Sequence, residues 1–276
     1  LVAGLWGAPA LAQQADTAPA VALPAITVSA ARTTLPLANV PLSIQILERR
    51  DISRARPTWG LDEALGQVPG VFVANRYNFS LDQRISVRGF GSRSAFAVRG
   101  VKVLVDGIPQ TLPDGQGQLT NLELGDVDHI EVLRGSASAL FGNAAGGVIS
   151  IWTDPAPPAR LREDVRVVGG WFEGRPGRSW SKWQSTTGVR VGGGGARLSV
   201  SRLAYDGERD HSAADLRNLS ARLRLPLGTT WSLSAIAAVG DDPRADNPGA
   251  LTQAELAANR DAAPAVNLSS HAGKDV

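Results

Sequence analysis

The sequence predicts a small mixed α/β domain followed by a long antiparallel β-sheet, and two patterns carry that expectation. From Leu37 to about Asp154, short apolar runs are punctuated by Gly, Asn and Ser; after Pro155-Ala156-Pro157-Pro158 the pattern becomes a plain two-residue alternation. Composition agrees, since 30 glycines and 17 prolines against 5% aromatics among 276 residues favour turns and strands over long helices. That length suits one or two domains at roughly 100–200 residues each. Lys+Arg 28 against Asp+Glu 26 leaves a formal charge of only +2, so no nucleic-acid partner is expected. The absence of cysteine removes disulfides, thiolate zinc sites and thiol catalysis. His129, His211 and His271 form no metal-ligand spacing.

Taken in order, residues 1–12 are uncharged and mostly apolar, and Ala10-Leu11-Ala12 before Gln13 has the small-x-small form of a signal-peptidase site. A secretory signal peptide lacking its basic start is expected there. Met is absent and Asp275-Val276 carries no closing signal, so a piece of a longer chain is expected. Residues 13–32 form a tether rich in Ala, Gln and Pro, too poor in bulky apolar residues to offset the entropy of ordering. Within it, Ile26-Thr27-Val28-Ser29-Ala30 is a β-branched patch with no turn partner beside it. It reads either as a strand awaiting another protein's sheet edge or as an ordinary edge strand of the following domain.

Residues 33–154 form the α/β domain. Leu42 to Leu47 alternates like a strand, and Leu61 to Val68 is a short helix stopped by Pro69-Gly70. Further strands read at Arg84–Arg88, Val101–Asp106, Ile130–Leu133 and Gly147–Trp152. In residues 155–276, Leu219, Ala221, Leu223 and Leu225 face one way while Asn218, Ser220, Arg222 and Arg224 face the other. Val189 and Val191 oppose Thr186, Gly188 and Arg190, and Trp231, Leu233, Ala235, Ala237 and Val239 continue the pattern. A soluble sandwich and a transmembrane barrel share this alternation; the leader tips the reading toward the outer membrane. About five such segments fit between Val165 and Val239, too few to close a barrel of roughly eight or more strands.

Residues 132–151, Val-Leu-Arg-Gly-Ser-Ala-Ser-Ala-Leu-Phe-Gly-Asn-Ala-Ala-Gly-Gly-Val-Ile-Ser-Ile, closely resemble the plug-domain signature of TonB-dependent outer-membrane receptors. Ile85-Ser-Val-Arg-Gly-Phe-Gly91 is similar to that family's R-G-x-G strand end, Val105-Asp-Gly-Ile-Pro109 to its V-D-G-x-P turn, and Pro69-Gly-Val71 to its helix exit. The order of the motifs fits as well. Phe141 stands where tyrosine is commoner, and Trp152 and Asp154 alter the motif's usual tail.

The resemblance implies an α+β plug inside a transmembrane antiparallel barrel of about 22 strands, of which only the first few are present here. It makes Ile26, Thr27, Val28, Ser29 and Ala30 the Ton box, which binds TonB and through it the inner-membrane energising complex. It also implies that the plug arginines Arg88 and Arg134 meet acidic residues on the barrel wall. A monomeric receptor for a scarce small-molecule ligand follows. Residues 88–100, 113–118, 210–212 and 245–252 look most like the branch that carries pyrroloquinoline quinone, with a ferric siderophore-type chelate as the alternative. Three strand ends with polar loops then locate a ligand site at the plug apex: Arg76, Tyr77 and Asn78; Arg93 between Ser92 and Ser94; and Gln110, Gln116 and Gln118. Arginine grips carboxylates bidentately and glutamine donates or accepts, so the set suits an anionic solute. A non-transporting adhesin or binding module is the rival reading. Catalysis is not expected: Gly142 to Gly147 lacks a P-loop's Lys-Ser/Thr ending, and Ser136 and Ser138 have no base nearby in sequence.

Overall fold

A computed structural model describes residues 27–28, 35–36, 42–74, 77–94, 98–112, 116–117, 119, 122–153, 157 and 159–274. The leader, most of the tether, Arg76, Gln118, Ile26, Ser29 and Ala30 lie outside the described residues. Two bodies follow one another along the chain, as the change in periodicity at residue 155 predicts.

The α/β domain is built on a five-stranded sheet ordered β3 (Ser43–Glu48), β10 (Val127–Arg134), β11 (Gly147–Thr153), β7 (Val101–Val105) and β8 (Ile108–Pro109). Its pairs are antiparallel except β11 with β7. Two small ribbons, β4 (Val71–Ala74) with β5 (Arg84–Val87) and β6 (Val98–Arg99) with β9 (Gln116–Gly117), flank it. Helices α1 (Arg49–Ser53), α2 (Leu61–Leu65) and α3 (Ser138–Phe141) are short. Helix α2 ends three residues before the expected Val68: Gly66 caps it, and Val68 turns inward to the core. That core holds Ile52, Leu65, Ile85, Val87, Val103, Ile130, Val132, Ile149 and Ile151, each contributing about 1.5–3 kcal/mol by burial. Central strands are apolar on both faces because both are covered, which is why they read as runs instead of alternations. Gly147 opens β11 at φ +142, where a Cβ would lie 2.2 Å from the Leu133 carbonyl oxygen, so only glycine fits.

Upstream, β1 (Thr27–Val28) pairs antiparallel with β2 (Leu35–Pro36). This corrects the expectation that the Ile26 to Ala30 patch has no partner within the chain: a two-residue ribbon with its own downstream segment satisfies part of its backbone.

The second body is a six-stranded antiparallel meander: β12 (Leu161–Trp171), β13 (Ser179–Val191), β14 (Gly194–Tyr205), β15 (Ala214–Leu227), β16 (Trp231–Asp246) and the two-residue β17 (Gly273–Lys274). Five long strands occupy the stretch where about five were expected. Tight turns at residues 192–193 and 228–230 share one end, while residues 172–178, 206–213 and 247–272 form longer loops at the other. The last loop carries α4 (Gln253–Ala258) and α5 (Ala265–Ser269); Thr252 and Glu255 cap α4 reciprocally. Among the described residues, no helix is long and apolar enough to cross a membrane.

The two faces of this sheet invert the rule of soluble proteins. Lys182, Gln184, Thr186, Arg197, Ser199, Ser201, Ser220 and Arg222 are buried against the α/β domain, while Val165, Val167, Trp183, Leu198, Val200, Leu219 and Val239 stand exposed on the other side. Along β15 the contrast is direct: Leu219 is 44% exposed and Ser220 6%. A sandwich would bury the leucines. An apolar outer band over a polar interior is the arrangement of a membrane barrel.

Candidate functional site

The contact between the two bodies centres on a turn the sequence did not single out. Glu123 accepts from the Gly125 N–H at 3.1 Å and opens a single 3₁₀ turn, Leu124–Asp126, just before β10. Lys182 Nζ on β13 donates to Glu123 Oε1 at 2.8 Å and to the Thr58 carbonyl at 2.6 Å, and Ser201 Oγ on β14 donates to Glu123 Oε2 at 2.5 Å. Asp126, fully buried, receives Ser220 Oγ at 2.5 Å, Arg222 Nη1 at 3.3 Å and Thr186 Oγ1 at 3.4 Å, with Arg197 Nε at 3.8 Å. Arg222 also faces Asp106 Oδ2 at 3.4 Å. Between the two carboxylates, Gly125 presses on β13 so closely that a Cβ would fall 1.9 Å from Gln184 Oε1.

Local structure holds each carboxylate in place. Asp106 sits at φ +50 in the turn after β7, where it accepts from the Thr153 N–H at 2.8 Å and Thr153 Oγ1 at 2.7 Å. Glu63 on α2 accepts from the Thr58 and Trp59 N–H groups, which orients the Thr58 carbonyl toward Lys182. Burial pushes the Glu63 carboxyl upward in pKa, and those two N–H donors work against the rise. Arg166 on β12 donates to the Ser53 carbonyl at 3.0 Å and to that of Arg56. Removing one member of such a buried ion cluster costs about 3–5 kcal/mol, because its partner stays buried and unpaired.

Toward the loop end the contact becomes aromatic. Trp59 meets Trp180, Tyr205 and Tyr77 edge-on at centroid separations of 4.6, 5.5 and 6.0 Å, and Phe79 and Phe172 complete the cluster around Tyr205. Asn78 Nδ2 donates to Asn247 Oδ1 at 3.0 Å, tying the α/β domain to the long loop. Arg209 steadies that loop through the Pro248, Gly249 and Ala262 carbonyls, and Arg175 pairs with Asp261. An open recess of ≈ 930 Å³ lies there, lined by Phe172, Glu173, Arg175, Arg209 and residues of the α4 segment.

Of the residues suggested by sequence for a ligand site, Tyr77 and Asn78 do lie at the loop end. Gln110 and Gln116 lie on the β8 to β9 stretch, where Gln116 pairs with Arg99 and the Gln110 N–H bonds to the Val103 carbonyl. Arg93 is exposed. Arg134 donates to the Pro69 carbonyl at 3.1 Å, and Arg88 stands at φ +49 with its N–H on the Gly70 carbonyl. Among the described residues the ion pairs between the bodies set acids of the α/β domain against bases of the sheet. The bases were legible as the polar face of alternating strands. Glu123 and Asp126 were not, since an irregular turn has no period to mark which side chains point inward. No group of His, Cys, Asp or Glu able to hold a metal occurs among the described residues.

Comparison with known proteins adds three findings. The family described as TonB-dependent Receptor Plug Domain matches residues 36–148. An iron-regulated outer membrane virulence protein of Vibrio cholerae serotype O1 is 30% identical over 250 residues, covering 83% of this chain and 35% of that protein. Crystal structures of the unliganded ferric citrate transporter FecA (TM-score 0.68, 25% identity, 80% of this chain and 34% of that one) and of the siderophore receptor PirA from Pseudomonas aeruginosa (TM-score 0.56, 25% identity, 74% and 36%) share the fold. The chain spans about a third of the length of these relatives.

Proposed function

Since this chain belongs, through the plug domain at residues 36–148, to the TonB-dependent receptors, we propose that it is the front portion of an outer-membrane importer for a scarce, carboxylate-bearing solute. The observation that carries the reading is the inverted sheet: an apolar outer band with a polar lining closed over a plug is a wall built for lipid outside and a plugged passage within. The tight turns then face the periplasm and the loops the exterior, and Ile26 to Ala30, which precede the plug in the chain, serve as the Ton box. TonB, pulling on that strand, supplies the energy for import.

The solute binds at the loop end, where Tyr77, Asn78 and the arginine-bearing recess lie, with Arg76, Arg93, Gln110, Gln116 and Gln118 as further contacts. Two chemical classes fit: a ferric chelate, which the iron-related relatives favour, and pyrroloquinoline quinone, which the motif similarities favour. Pyrroloquinoline quinone and carboxylate chelates such as ferric citrate both present carboxylates to arginine. Calorimetry on the purified full-length receptor with ferric citrate, a panel of ferric siderophores and pyrroloquinoline quinone tests the site. Binding of one class, lost in the combined Arg76→Ala, Arg93→Ala, Gln116→Ala, Gln118→Ala variant, is the expected result; unchanged affinity in that variant removes the plug apex from the site.

A further inference from the structure

Among the described contacts between the α/β domain and the sheet, the turn at residues 123–126 is held by buried ion pairs. Asp126 is fully buried and Glu123 only 5% exposed, and their partners Lys182, Arg197 and Arg222 are each less than a tenth exposed. Three neighbouring strands, β13, β14 and β15, converge on two carboxylates that are one 3₁₀ turn apart. Withdrawing this turn into a solute passage would pull both carboxylates away from Lys182, Arg197 and Arg222, and would uncover the hydroxyls of Thr186, Ser201 and Ser220 as well. The Trp59 contact at the loop end is different in kind. Edge-on rings slide past one another without leaving a charge unpaired.

We propose that the turn at residues 123–126 is a fixed anchor: while solute passes, the plug stays seated on β13 to β15, and the passage opens along another part of the wall. The inference rests on the transport reading and deepens it. It follows from the cost asymmetry between a buried, multiply bonded ion cluster and ordinary apolar contact, since breaking the former exposes no compensating partner. Gly125 reinforces the assignment, because the turn has no side chain there and approaches Gln184 at contact distance.

A disulfide tests it: these 276 residues contain no cysteine, and any elsewhere in the receptor is replaced by serine. Gly125→Cys combined with Gln184→Cys removes the amide that a Cβ at position 125 would strike and puts two thiols in its place. In the full-length receptor in cells, uptake of ⁵⁵Fe-citrate and of pyrroloquinoline quinone is compared before and after oxidation, with wild type alongside. An anchor predicts uptake within about twofold of the reduced protein; a larger loss on oxidation, reversed by reductant, overturns it. Wild type that imports neither probe would count against the transport reading instead. A second arm needs no uptake: purified receptor carrying Ser199→Cys, beneath the turn, or Ala144→Cys, in the plug interior, is labelled with maleimide in rising urea. The anchor requires Cys at position 144 to label at lower urea than Cys at 199, and the same or the reverse order contradicts it.

Discussion

At the scale of single residues, Asp126 shows most clearly how charge and burial decide what a side chain does. It has no exposed surface and four donors around it, so replacing it by alanine takes from the buried Arg222 and Arg197 a carboxylate that both face. Asp126→Ala should lower the stability of the seated plug by about 3–5 kcal/mol, measured as a shift in the urea midpoint of the full-length receptor. A change below about 0.5 kcal/mol would mean that water reaches the cluster. His129 offers a pH test. Hydrogen bonding to Asp128 at 3.0 Å, with Glu131 at 3.6 Å on the other ring nitrogen, raises its pKa from 6.5 to about 9. The folded state therefore holds the proton more tightly than the unfolded chain, so the stabilisation is complete below pH 6.5 and is lost as pH rises through about 9. Plug stability should fall across that window, and His129→Ala should flatten the fall; an unchanged slope would remove His129 as its source. None of this was legible at residue level, because Asp128, His129 and Glu131 acquire their partners by lying on neighbouring positions of one half-buried strand.

At the scale of elements, the sequence is far more informative. Strands β5, β7 and β11 appear within a residue or two of where alternation and β-branched runs put them. What escaped notice is short or non-local: β6, β8 and β9 are two residues each and exist only because a partner lies beside them, and α4 sits in a loop whose Thr252 to Glu255 box went unread. The Thr27–Val28 strand is the element with the most direct functional consequence. Its ribbon with Leu35–Pro36 is only two residues long, so in the proposed Ton-box role a longer strand from TonB would displace it at little cost. Thr27→Pro or Val28→Pro removes a backbone donor and constrains the strand. Either change should reduce uptake by about tenfold or more while solute affinity, read by calorimetry, stays at the wild-type value. Normal import by both variants would move the Ton box elsewhere.

At the scale of the whole molecule, alternation alone could not separate a barrel from a sandwich, because both have period two. The choice became visible only when the polar face proved to be the buried one. The same inversion has a physical consequence for the 276 residues on their own. Six strands leave β12 with an unpaired edge and an apolar outer face in one sheet, and an open edge in hydrocarbon leaves its N–H and C=O groups without partners. This chain by itself should therefore fail to form a heat-resistant, protease-protected species in bilayers, as gel mobility and digestion would report; such a species would refute the partial-barrel account. For the full-length receptor the proposed activity is energised import. The most direct measurement is accumulation of ⁵⁵Fe-citrate and of pyrroloquinoline quinone by cells producing that receptor, with TonB present and with TonB deleted. TonB-dependent accumulation of one probe class is the predicted result, and equal accumulation with and without TonB would contradict it.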